Sequence, residues 1–214
     1  MKLKQLQSHL ESVKPFKNPK IEFEQYPTSP HIASHMIFTA QEQFDDLESK
    51  TVADLGIGCG MLSIASSLME TGFNIGIDID DDALDQTMEN SKPFDLNLDL
   101  LKMDLREYQH RIKSDTVIMN PPFGTKTMPG IDIQFLKMAT TISDHVIYSL
   151  HKSSTRNVSI EIFIKKYVLK KGIEFGFPGE VIANLNYDIP AIYKFHKKKS
   201  VDIQVDLIRF EKKY

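Results

Sequence analysis

The sequence has little of what several ready explanations would need. Its 214 residues include a single cysteine, which excludes a disulfide framework and any cysteine-rich zinc site. It has no excess of positive charge: the formal net charge is -3. A general nucleic-acid coat protein is therefore excluded, and contact with a polyanion must use local basic patches. No apolar run approaches membrane-spanning length and no signal-peptide core stands at the N-terminus, so an intracellular chain without membrane contact is expected. Internal repeats and low-complexity segments are also missing. What remains is an ordinary globular composition, 41% hydrophobic and 26% charged, with enough length for one good core.

The order of patterns gives the fold class. Leu3, Leu6, Leu10 and Val13 recur at helical spacing. After the turn "KPFKNPK", Ser29-Pro30 reads as an N-cap with proline at the first helical position, opening a helix that buries Ile32, Met36 or Ile37, Ala40 and Phe44. From residue 51 strands alternate with helices: "TVADLG", a helix from Met61 to Glu70, "NIGIDI", a helix from Asp81 to the stop at Pro93, "LDLLKMD" and "TVIMN". A helix at "DIQFLKMATTI", the buried strand "HVIYSL" and a helix at "RNVSIEIFIKKYVLKKG" follow. This alternation predicts a parallel sheet covered on both faces. "EVIANLNY" and "VDIQVDLIRF" alternate instead, as an antiparallel pair does, with Val201, Ile203, Val205 and Leu207 inward and Asp202, Gln204 and Asp206 outward. The expectation is an α/β, open doubly wound sheet with an antiparallel finish, in one domain spanning 1–214: an N-terminal helical and lid extension at 1–45 and a core at 46–214.

In such sheets ligands bind beyond the carboxyl ends of the strands. After the first strand stands "DLGIGCG", with Asp54, Gly56, Gly58 and Gly60. Glycines there let the backbone approach a ligand. The dinucleotide fingerprint needs glycine at its sixth position, where this chain has Met61, which counts against a nicotinamide or flavin dinucleotide. Asp78 ends the second strand, placed to accept both hydroxyls of a ribose, and Asp104 ends the third, placed to accept the amino group of an adenine. Cys59 reads as a small residue beneath the ligand, with no adjacent basic partner to make it a nucleophile. "EQYPTSP" precedes the loop and can fold over the ligand, offering Gln25 and Thr28 as hydrogen-bonding groups. His31 and His35 have metal-ligand spacing, but no third ligand completes a set.

This constellation resembles the S-adenosylmethionine-dependent methyltransferase fold, Rossmann-like with seven strands and an antiparallel last strand. Amino-group methyltransferases carry [DNS]-P-P-[YFW] after the fourth strand, and this chain has "NPPF" there: Asn120, Pro121, Pro122 and Phe123. A conjugated exocyclic amine is a poor nucleophile. The Asn120 oxygen and the Pro121 carbonyl can each accept one of its N–H groups and so present its lone pair in line to a methyl donor. The prolines stiffen the turn, and Phe123 can stack on a planar base. No metal is required.

Four longer stretches, "EQYPTSPHIA" at 24–33, "VIMNPPFGTK" at 117–126, "VIYSLHKSSTR" at 146–156 and "YKFHKKKSVDIQVDLIRF" at 193–210, are similar to the methyltransferase-like protein 5 family. The stretch 172–181 is expanded relative to that family's pattern, which puts the shape of that loop in doubt. The resemblance implies an enzyme that methylates N6 of an adenosine in small-subunit (18S) ribosomal RNA, with S-adenosylmethionine as cofactor and a nuclear, nucleolar and cytoplasmic location. It implies cofactor positions at Gln25, Thr28, Asp54, Gly56, Gly58, Cys59, Gly60, Asp78, Asp104 and Leu105. Basic patches that could hold RNA are His151 and Lys152, and Lys194, His196, Lys197, Lys198 and Lys199. The family also implies a heterodimer with a small zinc-binding methyltransferase activator, and the leucine-rich third strand at 94–105 is the expected docking edge. A protein-glutamine or DNA-adenine methyltransferase, or a non-catalytic ribosome-assembly protein on the same fold, are the alternatives.

Overall fold

Five runs become parallel strands, the inner ones buried by the helices on either side and the one at the sheet's margin largely exposed. They are β1 (Thr51–Leu55), β2 (Phe73–Asp78), β3 (Asp99–Lys102), β4 (Ser114–Met119) and β5 (Ser143–Lys152). In this computed structural model the described residues are 1–107, 112–124, 128–153, 158–190 and 200–213, less the side chains of 158–164, 187–190 and 200–203. Two long strands complete the sheet, β6 (Gly179–Pro190) and β7 (Ser200–Glu211). The order is β3-β2-β1-β4-β5-β7-β6, with β7 antiparallel to both β5 and β6. This is the seven-stranded, antiparallel-ending sheet that the patterns predicted.

Six helices flank it: α1 (Leu3–Leu10), α2 (Pro30–Glu42), α3 (Met61–Ser67), α4 (Asp81–Ser91), α5 (Ile131–Ile142) and α6 (Val158–Glu174). Ser29 caps α2, its hydroxyl accepting the Ile32 N–H, with Pro30 in the first turn. Alternate strand residues feed two cores. Val52, Ile118, Val146 and Tyr148 pack with Leu6, Leu10, Ile32, Met36 and Ile37 of the first two helices. Ala53, Leu55, Val117, Met119 and Ile147 pack with Leu136 and Ala139 of α5 and Val168 of α6. The two cores differ by one residue of phase along each strand, as the two-residue period of a strand requires.

The structure corrects the sequence reading in two elements. α3 stops at Ser67 rather than Glu70, because the chain tightens into three-residue turns there and Glu70 takes a left-handed φ of 64°. Asp206, expected to face outward, is buried and accepts a hydrogen bond from Asn184 Nδ2 at 2.9 Å. α6 packs on that face of β7, with the Lys165 ammonium 3.9 Å from the Asp206 carboxylate and Val168 beside Ile208 and Phe210. The expanded stretch forms a short connection in which Phe177 is buried and Gly176 takes a positive φ. Among the described residues no helix is long and apolar enough to cross a membrane.

Candidate active site

The carboxyl ends of β1, β2 and β4, the first wall of α5 and the segment before α2 enclose a cavity of about 390 Å³, within the size range of small-ligand sites. Its floor is the loop between β1 and α3. Gly56 and Ile57 donate their N–H groups to the Ile77 carbonyl at 2.8 and 3.0 Å. Gly58 donates to Asp78 Oδ2 at 2.9 Å and accepts from the Thr87 hydroxyl at 2.9 Å. Its φ is 59°, and a Cβ there would lie 2.9 Å from the Phe16 ring, so only glycine fits this position. Cys59 lines the cavity but is buried, and burial pushes its thiol up to about 12. It is a packing residue, as the sequence suggested.

The acids divide by environment. Asp54 is buried, accepts the Ser63 hydroxyl at 2.7 Å, and is pushed up to about 7 by burial with Asp78 nearby. Asp78 accepts one N–H on each oxygen, from Gly58 and from Asp80 at 3.0 Å. Each oxygen keeps a lone pair for a ligand hydroxyl, and burial raises this carboxyl too. Capping of α4 falls to Asp80, which accepts from the Asp82 N–H, so Asp78 is not the cap. Asp104 differs from expectation. It borders the cavity, yet both oxygens are forked by the Arg106 guanidinium at 2.6–3.1 Å, which holds the carboxyl below its usual range. An adenine amino group would have to share it with Arg106. Leu105 is buried at the cavity wall, as are Ile131 and, in part, Phe135 of α5.

The N-terminal segment closes the other side as a strap, and its fastening was not foreseen. Asn90 grips the Lys14 backbone through both ends of its amide and also donates to the Cys59 carbonyl at 2.8 Å. Phe16 lies on Gly58. The Lys20 ammonium meets Asp80 at 2.5 Å and Asp82 at 2.7 Å. Gln25, expected to hydrogen-bond a ligand, instead donates Nε2 to Asp80 at 2.7 Å and accepts the Lys20 N–H at 2.8 Å. It lines the cavity while its amide secures the strap. The signals in the sequence were a proline-rich turn and a run of aspartates, neither of which names its partner.

Thr28 and Asn120 meet at the strap's end. Asn120 Nδ2 donates to Thr28 Oγ1 at 2.9 Å, and among the described residues the buried Asn120 Oδ1 has no hydrogen-bond partner. Buried polar atoms are rarely left so, and this one borders the cavity. Pro122 also lines the cavity, Pro121 is buried, and Phe123 is half-buried against the first core. The glycine floor, the free lone pairs of Asp78 and the orphaned oxygen suit a nucleoside-bearing methyl donor beside an amine.

The basic residues fare unevenly. Lys152 is exposed. His151 is not a surface contact. It is buried, with Nε2 2.9 Å from Ser149 Oγ and Nδ1 3.5 Å from Asp132 of α5, which packs on that face of β5. Lys194, His196, Lys197, Lys198 and Lys199 lie outside the described residues.

Comparison with known proteins agrees with this geometry. The methyltransferase small domain family model matches residues 31–142. The chain is 52% identical to the rRNA N(6)-adenosine-methyltransferase METTL5 of Danio rerio, over 98% of this chain and 99% of that protein. It is 46% identical to Mettl5 of Drosophila melanogaster, over 99% and 97%. A crystal structure from Pyrococcus horikoshii, provisionally described as an RNA methyltransferase, superposes with a TM-score of 0.87 at 34% identity, covering 100% of this chain and 99% of that one.

Proposed function

The chain belongs to the methyltransferase small domain family and, within it, to the METTL5 group of rRNA N6-adenosine methyltransferases, and from that premise we propose that it methylates N6 of an adenosine in small-subunit (18S) ribosomal RNA. The observation that carries this reading is the buried, unpartnered Asn120 Oδ1 at the cavity wall. An acceptor held there without a partner is complementary to an amine N–H.

S-adenosylmethionine, when bound, supplies an electrophilic methyl group on its sulfonium. Gly56, Gly58, Asp78 and Leu105 are the residues placed to hold it. Asn120 Oδ1 and the Pro121 carbonyl then orient the adenine amine, and a fixed geometry of this kind replaces the entropy a free encounter would cost. A duplex hides the N6 amine from such an approach, so the target is unpaired or flipped.

The test is mass spectrometry of nucleosides from unmodified small-subunit ribosomal RNA incubated with S-adenosylmethionine and either wild type or Asn120→Ala. N6-methyladenosine is expected with wild type only. Methyl transfer to glutamine or DNA in its place would overturn the RNA reading, and cofactor binding with no transfer to any acceptor would favour an assembly protein.

We place the zinc-binding activator on the β3 edge. What supports this is a four-residue strand at the margin of the sheet, with Leu96, Leu98 and Leu100 half-buried and Leu101 39% exposed. Such an edge is open to pairing by another strand. Leu98→Asp or Leu100→Asp should abolish one-to-one co-purification with the activator, and retention of the pair would refute this site. We also propose a nuclear, nucleolar and cytoplasmic location, which a ribosomal RNA substrate would require the chain to share. A tagged chain absent from nucleoli would count against nuclear action.

A further inference from the structure

The Asn120 amide has two chemically opposite ends, and the reaction proposed above, on which this inference rests, works with only one of them facing the base. An amine brings N–H donors, so the amide must show it oxygen. If the amide is turned over, an NH2 group faces another N–H donor and the amine is not held. Something must therefore fix the turn of this side chain about its last bond.

The geometry points to Thr28 as that positioning residue. Its Oγ1 accepts from Asn120 Nδ2 at 2.9 Å, leaving the buried Oδ1 as the end without a partner among the described residues, on a side chain that lines the cavity. A hydroxyl can also donate to an overturned amide oxygen, but that state turns its NH2 to the amine and is unproductive. Arrival of the amine therefore selects the state in which Thr28 accepts. Valine at 28 supports neither state and leaves a buried amide donor unpaired. The strap itself is secured elsewhere, by Lys20 and Gln25 on Asp80 and by Asn90 on Lys14. Thr28 also sits between Pro27 and the Ser29 cap of α2. Loss of its hydroxyl therefore acts on Asn120 and leaves the strap in place.

The experiment uses the full chain co-expressed with the activator subunit, as wild type, Thr28→Val and Thr28→Ser. It measures calorimetric affinity for S-adenosylmethionine and the kcat for N6-methyladenosine formation at saturating cofactor. Thr28→Val should lower kcat by about ten- to a hundredfold, the scale of a misplaced reacting group. Because kcat is read at saturating cofactor, it is insensitive to any loss of the cofactor contact that the family resemblance assigns to Thr28, and Thr28→Ser should restore it. Weakened cofactor affinity with kcat unchanged would make Thr28 a cofactor contact and overturn the inference. Loss of cofactor binding in both variants would make it a folding residue, with the same consequence. Wild type yielding no N6-methyladenosine would overturn the functional reading and this inference with it, a result told apart from the others by the wild-type arm alone.

Discussion

Asp54 should make the stability of this protein fall as pH rises through the physiological range, and removing its charge should abolish that slope. The carboxyl is buried beneath the glycine loop and pushed up to about 7, whereas in the unfolded chain it titrates near 4 (about 3.9). Between those values the folded protein keeps a proton that the unfolded chain has lost. Folding then takes up a proton, and stability declines with rising pH. The contribution is fully present below about pH 4 and lost as pH passes through about 7. At about 1.4 kcal/mol per pH unit, that interval corresponds to about 4 kcal/mol, a large share of the roughly 5–15 kcal/mol of a typical domain. Asp54→Asn keeps an acceptor for the Ser63 hydroxyl and carries no charge. Urea denaturation of both proteins at steps from about pH 5 to 8 isolates the effect, because other titrating groups cancel in the difference. The variant should gain on wild type steadily up to about pH 7 and level off above it. A difference that does not change with pH would refute the reasoning.

Gly58→Ala should destabilise the protein by about 1–3 kcal/mol, since it combines a positive φ with a Cβ 2.9 Å from Phe16; it should also weaken S-adenosylmethionine binding by calorimetry. Phe16→Ala in the same chain should recover only part of the stability, because the backbone conformation stays costly. Asp46 is buried and accepts from the Tyr148 hydroxyl at 2.6 Å and from Arg209 Nε at 3.0 Å. Asp46→Ala should cost about 2–3 kcal/mol in chemical denaturation, because the Arg209 Nε and the Tyr148 hydroxyl lose their buried acceptor while Glu211 still pairs the other end of the guanidinium at 2.5 Å. The affinity of the folded fraction for S-adenosylmethionine should not change, since these residues do not line the cavity.

What the sequence made legible was local. Glycines and acids at strand ends, the Ser29 cap and the prolines after Asn120 each act within a few residues of their own position, so their spacing reveals them. What it hid were polar partners far apart in the chain. Lys20 and Asp80 are 60 residues apart, Asn120 and Thr28 are 92, and Arg209 and Asp46 are 163. No periodicity records such pairs. Alternation in β7 suggested a strand with one wet face, and failed at Asp206 because α6, whose docking alternation does not encode, packs on that face. His151 misled for the same reason: a histidine beside a lysine reads as surface until α5 covers it. Asp104 was found at the predicted place, but its neighbour Arg106, two residues on, had already engaged the carboxylate.

The strap explains why the N-terminal extension belongs to the site rather than merely preceding it. A methyltransferase must solve two binding problems with one alignment: a donor held by the glycine loop and an acceptor held by the amide after β4. The sheet fixes β1 beside β4, which sets the distance between those elements but not the turn of the Asn120 side chain. The strap touches both sides. Phe16 and Asn90 bind it to the glycine loop, Lys20 and Gln25 bind it to the aspartates that follow β2, and Thr28 ends on Asn120. Every one of these contacts is a hydrogen bond, ion pair or ring contact between side chains and loops, of the kind that opens locally at far lower cost than a sheet does. In the proposed reaction, a strap fastened this way would return the Asn120 amide to the same orientation each time it reclosed over a ligand.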